Sequence, residues 1–276
     1  SNHLACNLLT TLDLAVARGV QSAPKWHSPD AWVLEQRGLE HETAYINHLT
    51  SQGLSLVNLR EIGDEASAYE KTRTAINEGV DVVVQGVLTA GRWFGRADVF
   101  RKVPIPSVLG DWSYEVFDCK IAQETKAATI LQLSLYSELL EAVQGRRPEF
   151  MHVVPPSDQF LPESYRVADF AAYYRYVKRR LQGVVESENG AGHSYPEPTE
   201  HCAVCRWWEE CEARRRKDDH LSLVAGITRL QRKQLTGWNV TTVADLSILP
   251  LPLQQRPERG SKTGYIRVRE QARVQV

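Results

Sequence analysis

The chain has 276 residues, enough for one large domain or one medium domain with a small appendix. Hydrophobic residues make up 42% and charged residues 24%, the balance of a globular protein with a real core. No apolar run is long enough for a membrane span and no signal peptide is visible, so a cytoplasmic protein without a membrane partner is expected. The net charge is −1, from 33 basic and 34 acidic residues. A nucleic-acid partner therefore requires clustered basic residues. Clusters occur at Arg146-Arg147, Lys178-Arg179-Arg180, Arg214 to Lys217, and Arg229 with Arg232-Lys233. Taken singly, each is more readily a solvated helix face.

Leu8 to Arg18 reads as a helix stopped at Gly19, and a Ser/Pro/Trp loop follows over Gln21 to Asp30. A second helix is expected from Ala31 to Ser51, a short strand over Leu54 to Leu59, and a helix over Asp64 to Glu78. The valine-rich run Val80 to Leu88 predicts a strand, Gly91 a turn, and Gly91 to Val103 a second strand. Tyr114 to Ile121 predicts a third. An amphipathic helix is expected over Glu124 to Val143, ended by Gly145. Phe150 to Val154 predicts a fourth strand, Tyr165 to Val167 a fifth, and Ala168 to Val185 a helix. This order is an α/β fold with a mixed sheet core flanked by helices, unlike a regularly alternating parallel sheet. Gly190 to Pro198 reads as a linker, followed by a cysteine cluster and a small helical tail. Ser1 leads directly into a helix and Val276 closes Tyr265 to Val276 without a stop signal, as expected of a fragment.

Three of the five cysteines form a C-x2-C-x5-C cluster: Cys202, Cys205 and Cys211. In a reducing compartment that spacing points to a metal centre, either zinc or iron–sulfur, rather than to disulfides. A fourth thiolate must come from Cys6 or Cys119. Cys119 is the poorer candidate, because it lies in a strand between two residues with another use. A lone Cys6 would ordinarily be a small buried apolar residue.

Those two residues are Asp118 and Lys120. In Asp118-Cys119-Lys120 the alternation of a strand places the carboxylate and the ammonium on one face. Gly95-Arg96-Ala97-Asp98 offers a second carboxylate on the preceding strand. Two carboxylates suit Mg²⁺ or Mn²⁺, which prefer oxygen ligands and can polarise a phosphate and activate water. Lys120 could orient or deprotonate that water, or offset charge on the phosphorane. An isolated Asp-x-Lys is ordinarily a surface ion pair. His41, on the second helix, is a candidate metal ligand or else a plain helical histidine. Gln132 and Tyr136 lie one turn apart on one face of the helix after Lys120.

The ordered set His41, Gly95-x-x-Asp98, Asp118-x-Lys120 and Gln132-x-x-x-Tyr136 resembles the RecB-like nuclease family of the PD-(D/E)xK superfamily. Cys6 with Cys202, Cys205 and Cys211 is similar to the [4Fe–4S] arrangement of the Cas4 and AddB nucleases. The segments 12–19, 37–42 and 131–140 resemble the TM0106-type group of RecB-like nucleases, and the likeness covers residues 4–250. The resemblance implies a restriction-endonuclease-like fold with an iron–sulfur-stapled helical region, and a Mg²⁺- or Mn²⁺-dependent DNA nuclease acting as an exonuclease on single-stranded DNA or DNA ends. It implies a metal site of His41, Asp98, Asp118 and the Cys119 backbone carbonyl. Lys120 would be catalytic, with Gln132 and Tyr136 positioning it or the strand. It implies a nuclease domain over 1–217 and a small tail over 218–276. Val224 to Thr228 and Leu235 to Thr242 in that tail resemble a helix-hairpin-helix element, which holds DNA phosphate on backbone N–H groups, or form a helical cap on the cluster. Members are usually longer, so a further C-terminal domain or a helicase partner is expected. The competing expectation is a non-catalytic iron–sulfur DNA-binding module.

Overall fold

The computed structural model describes residues 2–25, 29–187 and 195–276. Most of the expected Gly190–Pro198 linker and residues 26–28 of the Gln21–Asp30 loop lie outside them, and Pro29 and Asp30 open a helix rather than close that loop. In chain order the elements are α1 (Asn2–Ala5), α2 (Asn7–Ala17), α3 (Pro29–Ser51), β1 (Leu56–Asn58), α4 (Glu65–Asn77), β2 (Val82–Ala90), β3 (Trp93–Val103) and β4 (Ser113–Cys119). They continue with α5 (Ala127–Gln144), β5 (Phe150–Val154), β6 (Glu163–Arg166), α6 (Val167–Glu186), α7 (Trp208–Lys217), α8 (Arg229–Gly237), α9 (Val243–Ser247) and α10 (Lys262–Gln275). Short 3-10 turns occupy Glu200–Val204 and Leu221–Leu223. Among the described residues no helix is long and apolar enough to cross a membrane.

The chain divides into two compact units, Pro29–Glu186 and Asn2–Ser28 with Ser187–Val276. The division groups the amino-terminal helices and the cysteine segment with the tail. The expectation from sequence places the first two with the sheet, in one domain of residues 1–217.

The first unit is α/β. Six strands form one mixed sheet in the order β1 to β6. The pairs β1–β2 and β4–β5 are parallel and the others antiparallel. Helices cover both faces. Ile76 of α4 and Ile130, Leu133 and Leu140 of α5 pack on one, with Val83, Phe100, Val116 and Met151. Tyr45, Ile46 and Leu49 of α3 pack on the other, with Val84, Val99, Phe117 and Val154. Every residue of β4 is buried. β2 is also buried along most of its length, which explains why its valines run on rather than alternate. α4 starts at the Asp64 cap, whose carboxylate accepts from Ser67 N–H at 2.8 Å. α5 ends at Gly145 in a left-handed conformation with φ 62°, which an L side chain would strain.

The second unit is helical. Leu221, Val224, Leu235, Leu246, Tyr265, Val268 and Ala272 form its core. Capping boxes at Thr228 with Gln231 and at Thr242 with Asp245 open α8 and α9. The segment before Gly226 is a three-residue 3-10 turn rather than a helix, so the helical pair in this tail is α8 and α9, joined through Trp238–Thr242.

Candidate functional site

β3 and β4 pair regularly from Val103↔Ser113 to Val99↔Phe117. The next residues in this register are Asp98 and Asp118. The backbone ladder gives way there, and Cys119 N–H donates instead to Asp98 Oδ2 at 2.9 Å. Alternation in β4 places Asp118 and Lys120 on the α5 face with Tyr114 and Val116, whereas in β3 the alternation breaks at Asp98, since Phe100 before the break and Ala97 after it both pack on that face. Lys120 Nζ lies 2.6 Å from Asp118 Oδ2. Asp118 is fully buried and neither of its oxygens has an aligned hydrogen-bond donor. It is held by the ion pair to Lys120, with the Asp98 carboxyl beside it.

Burial and the neighbouring Asp118 push the Asp98 pKa up from 3.8 to about 7. Burial also raises that of Asp118, against the opposing pull of Lys120. Burial works against the Lys120 charge, but Asp118 and Asp98 outweigh it and leave its pKa above the ordinary lysine value. Lys120 is therefore a persistent cation here.

A third carboxylate joins from α3. Glu42 adds repulsion at both aspartates. It is ion-paired with Arg60 Nη2 at 2.7 Å and accepts from Gln85 Nε2 at 2.7 Å. Gln85 Nε2 also reaches Asp98 Oδ1 at 3.4 Å. Gln85 has φ 54°, a conformation L residues rarely adopt, in mid-strand between the pairs Val84↔Val99 and Gly86↔Ala97. This local distortion lies opposite Asp98 and turns the Gln85 amide toward both carboxylates. Neither Glu42 nor Gln85 stands out in the sequence. Glu42 is visible there only as the neighbour of His41.

His41 itself is not drawn onto the aspartates among the described residues. Its Nε2 donates to the Val154 carbonyl at 2.9 Å, and its ring stacks on Phe160. The same carbonyl accepts the Lys120 N–H at 3.1 Å, so His41 ties down the strand ends beside the lysine. Tyr136 does border the group: Asp118 and Asp98 help burial raise its pKa. Gln132 Nε2 donates to Tyr136 Oη at 3.0 Å. Gly95 makes room for that ring, since a Cβ there would lie 2.5 Å from a Tyr136 ring carbon.

Cys119 is buried in the sheet beside Tyr45 and Val154. Burial, with Asp98 and Glu42 adding to it, pushes its thiol far up. Its side chain packs as a small apolar group.

The other four cysteines belong to the second unit. Cys6, at the start of α2, lines one narrow cavity with Cys202, Cys205 and Cys211, and Leu9, Leu12, Trp207 and Trp208 wall it. Thr199 N–H donates to Cys202 Sγ at 3.4 Å, a cap made by sulfur. Arg206 and Trp207 Nε1 both donate to Asp13 of α2, which fixes the amino-terminal helix against the cysteine segment. Burial raises the Cys211 pKa to about 11, while the adjacent Arg215 guanidinium pulls it down. Arg215, expected within a basic cluster, is buried and bonded to Glu212 and the Pro196 carbonyl. Arg232 is likewise buried and paired with Glu197. Both serve this unit's interior rather than its surface.

Among the described residues no group of three or more His, Cys, Asp and Glu side chains is arranged to hold a metal ion as it stands. At the first site Lys120 lies against Asp118. The donor chemistry fits nonetheless. Three carboxylates, one with both buried oxygens lacking aligned donors, match a hard divalent cation. Four thiols around one cavity with an adjacent buried arginine match a thiolate-bound centre. No protein-family model matches the chain, and a comparison with curated proteins finds no significant relative.

Proposed function

We propose that the sheet unit is a Mg²⁺- or Mn²⁺-dependent DNA phosphodiesterase of restriction-endonuclease-like type, acting on single-stranded DNA or DNA ends. The observation that carries this reading is the convergence of Asp98, Asp118 and Lys120 at the end of the β3–β4 pair, with Glu42 brought to them by α3. Three carboxylates meet two cations there, Lys120 and Arg60, and the negative charge left over is costly in a buried setting unless a further cation offsets it. Asp98, Asp118 and Glu42 would hold the ion. A divalent ion so held supplies Lewis-acid polarisation of a phosphate and activation of water.

The remaining roles belong to the chain's own groups. Lys120 keeps its proton and offers a positive charge where negative charge develops on the phosphate oxygens. The Tyr136 hydroxyl, oriented by Gln132, positions Lys120 or the strand. His41 holds the backbone at Val154 and Lys120 in place. In the helical unit, Cys6, Cys202, Cys205 and Cys211 would bind a [4Fe–4S] cluster with a structural role.

The test is Mn²⁺-dependent cleavage of labelled single- and double-stranded DNA, stopped by EDTA and abolished in Asp118→Asn. DNA binding without cleavage would favour the non-catalytic module instead. Zinc in place of iron would change the cofactor of the helical unit and leave the proposed chemistry of the sheet unit intact.

A further inference from the structure

Two basic clusters distant in sequence meet at one cavity. It has a volume of about 230 Å³ and lies between α5 and α6. Arg147 reaches it from the loop after α5, and Arg175, Lys178 and Arg179 from α6. The lining carboxylate is Glu138, so four cations face one anion.

The pairing leaves positive charge over. Glu138 accepts from Lys178 Nζ at 2.6 Å and from Tyr174 Oη at 2.5 Å. Those bonds outweigh its burial and keep its pKa low, so its charge is spent on Lys178. Lys178 is further fixed over the Trp93 ring at 4.5 Å. Arg147 pairs with Glu141 at 2.7 Å. Arg175 and Arg179 have no carboxylate partner among the described residues. They stand one helical turn apart, a like-charge pair that weakens a helix slightly. A concave site with two unneutralised guanidinium groups at its wall matches the charge of a phosphate group.

We propose that the α5–α6 cavity is a phosphate-binding subsite that holds a backbone phosphate of a nucleic-acid strand. α5 connects it to the carboxylate group. Gln132 and Tyr136 belong to the carboxylate group, while Ser134 and Glu138, on another side of the helix, line the cavity. A strand crossing α5 could place one phosphate in the cavity and another beside Lys120. The choice of a strand rests on the nuclease reading, whereas the anion site itself does not depend on any cleavage.

The experiment is the binding of a labelled single-stranded oligonucleotide in EDTA, followed by fluorescence anisotropy across a range of salt concentrations. Abolishing one charged interaction with a strand phosphate reduces the slope of log K against log salt by about 0.7. The double variant Arg175→Gln with Arg179→Gln should bind more weakly, its slope reduced by about 0.7, because the two guanidinium groups share one strand phosphate. The charge-matched control, Lys71→Gln with Arg73→Gln on the exposed face of α4, should keep the wild-type slope. Equal slopes in the two double variants would overturn the proposal. The second arm adds inorganic phosphate and follows Tm. If phosphate stabilises the wild type but not the α6 variant, and the oligonucleotide slope is unchanged, the site takes free phosphate and the strand assignment fails. Because no cleavage is needed, a protein that cuts nothing can still pass this test.

Discussion

Glu42 on α3 is joined to Asp98 on β3 through one nitrogen, Gln85 Nε2, at 2.7 Å from Glu42 Oε1 and 3.4 Å from Asp98 Oδ1. The link makes Glu42, rather than its neighbour His41, the α3 residue that faces the aspartates. Glu42→Gln should therefore reduce Mn²⁺-dependent cleavage more than His41→Ala. The latter should lose about 10–100-fold, the range for groups that support a metal site. Steady-state rates and Mn²⁺ titrations of the two variants check this. A harmless Glu42→Gln beside a dead His41→Ala would reverse the assignment.

The raised Asp98 pKa is also a statement about stability. A carboxyl whose folded-state pKa, about 7, exceeds its ordinary 3.8 contributes stability that is complete below about pH 4 and lost as pH rises through 7. Without divalent cations the site should thus destabilise the protein at neutral and alkaline pH. Asp98→Asn, which cannot ionise, should melt higher than wild type in EDTA at pH 8, with the gain shrinking toward pH 4. Added Mn²⁺ should raise the wild-type Tm and leave that of the variant unchanged. A difference in Tm that does not vary with pH would contradict the account.

Gly95→Ala tests the packing beneath the site. The added Cβ would meet the Tyr136 ring at 2.5 Å and Leu139 at 3.0 Å. Overpacking of this kind costs about 1–3 kcal/mol. The variant should unfold at lower denaturant concentration and lose activity as Tyr136 shifts. Unchanged stability would show that the ring yields freely.

For the cysteines the expected outcome is a split. Cys6→Ser and Cys205→Ser should lose iron, colour and stability, because both sulfurs line one cavity. Cys119→Ala should retain its iron, because that thiol is buried in the sheet among Tyr45, Phe117 and Val154. Metal analysis of anaerobically purified protein decides the matter. Stoichiometric zinc without iron would replace the cluster assignment, and an iron-free Cys119→Ala beside a normal Cys6→Ser would show that the fourth ligand was misassigned.

Much of the first unit was legible because its signals are local. The valines of β2, the glycine stop after α5 and the Asp64 cap of α4 each depend on a few adjacent residues. Asp118 and Lys120 were legible because alternation puts the two ends of Asp-x-Lys on one face, and Asp98 because it stands on the preceding strand. Glu42 was not, since which of two adjacent helical residues faces the sheet depends on how α3 rolls against it. Gln85 was hidden for a different reason: a positive φ at a non-glycine residue inside a strand has no local signature. The grouping of α2 with the cysteine segment rests on interactions such as that of Arg206 with Asp13, nearly two hundred residues apart. Likewise, no local pattern brings Arg147 to the basic face of α6.

The central claim is that the carboxylate–lysine group cleaves phosphodiester bonds, and Lys120 tests it most directly. Lys120→Ala removes the persistent cation beside Asp118 while leaving the carboxylates in place. The decisive measurement compares wild type and Lys120→Ala on end-labelled single-stranded DNA with Mn²⁺, alongside a circular-dichroism melt of each. The account predicts EDTA-sensitive cleavage by the wild type and loss of cleavage in a folded Lys120→Ala. Equal cleavage by the two proteins, or none by the wild type across Mg²⁺ and Mn²⁺, would contradict it.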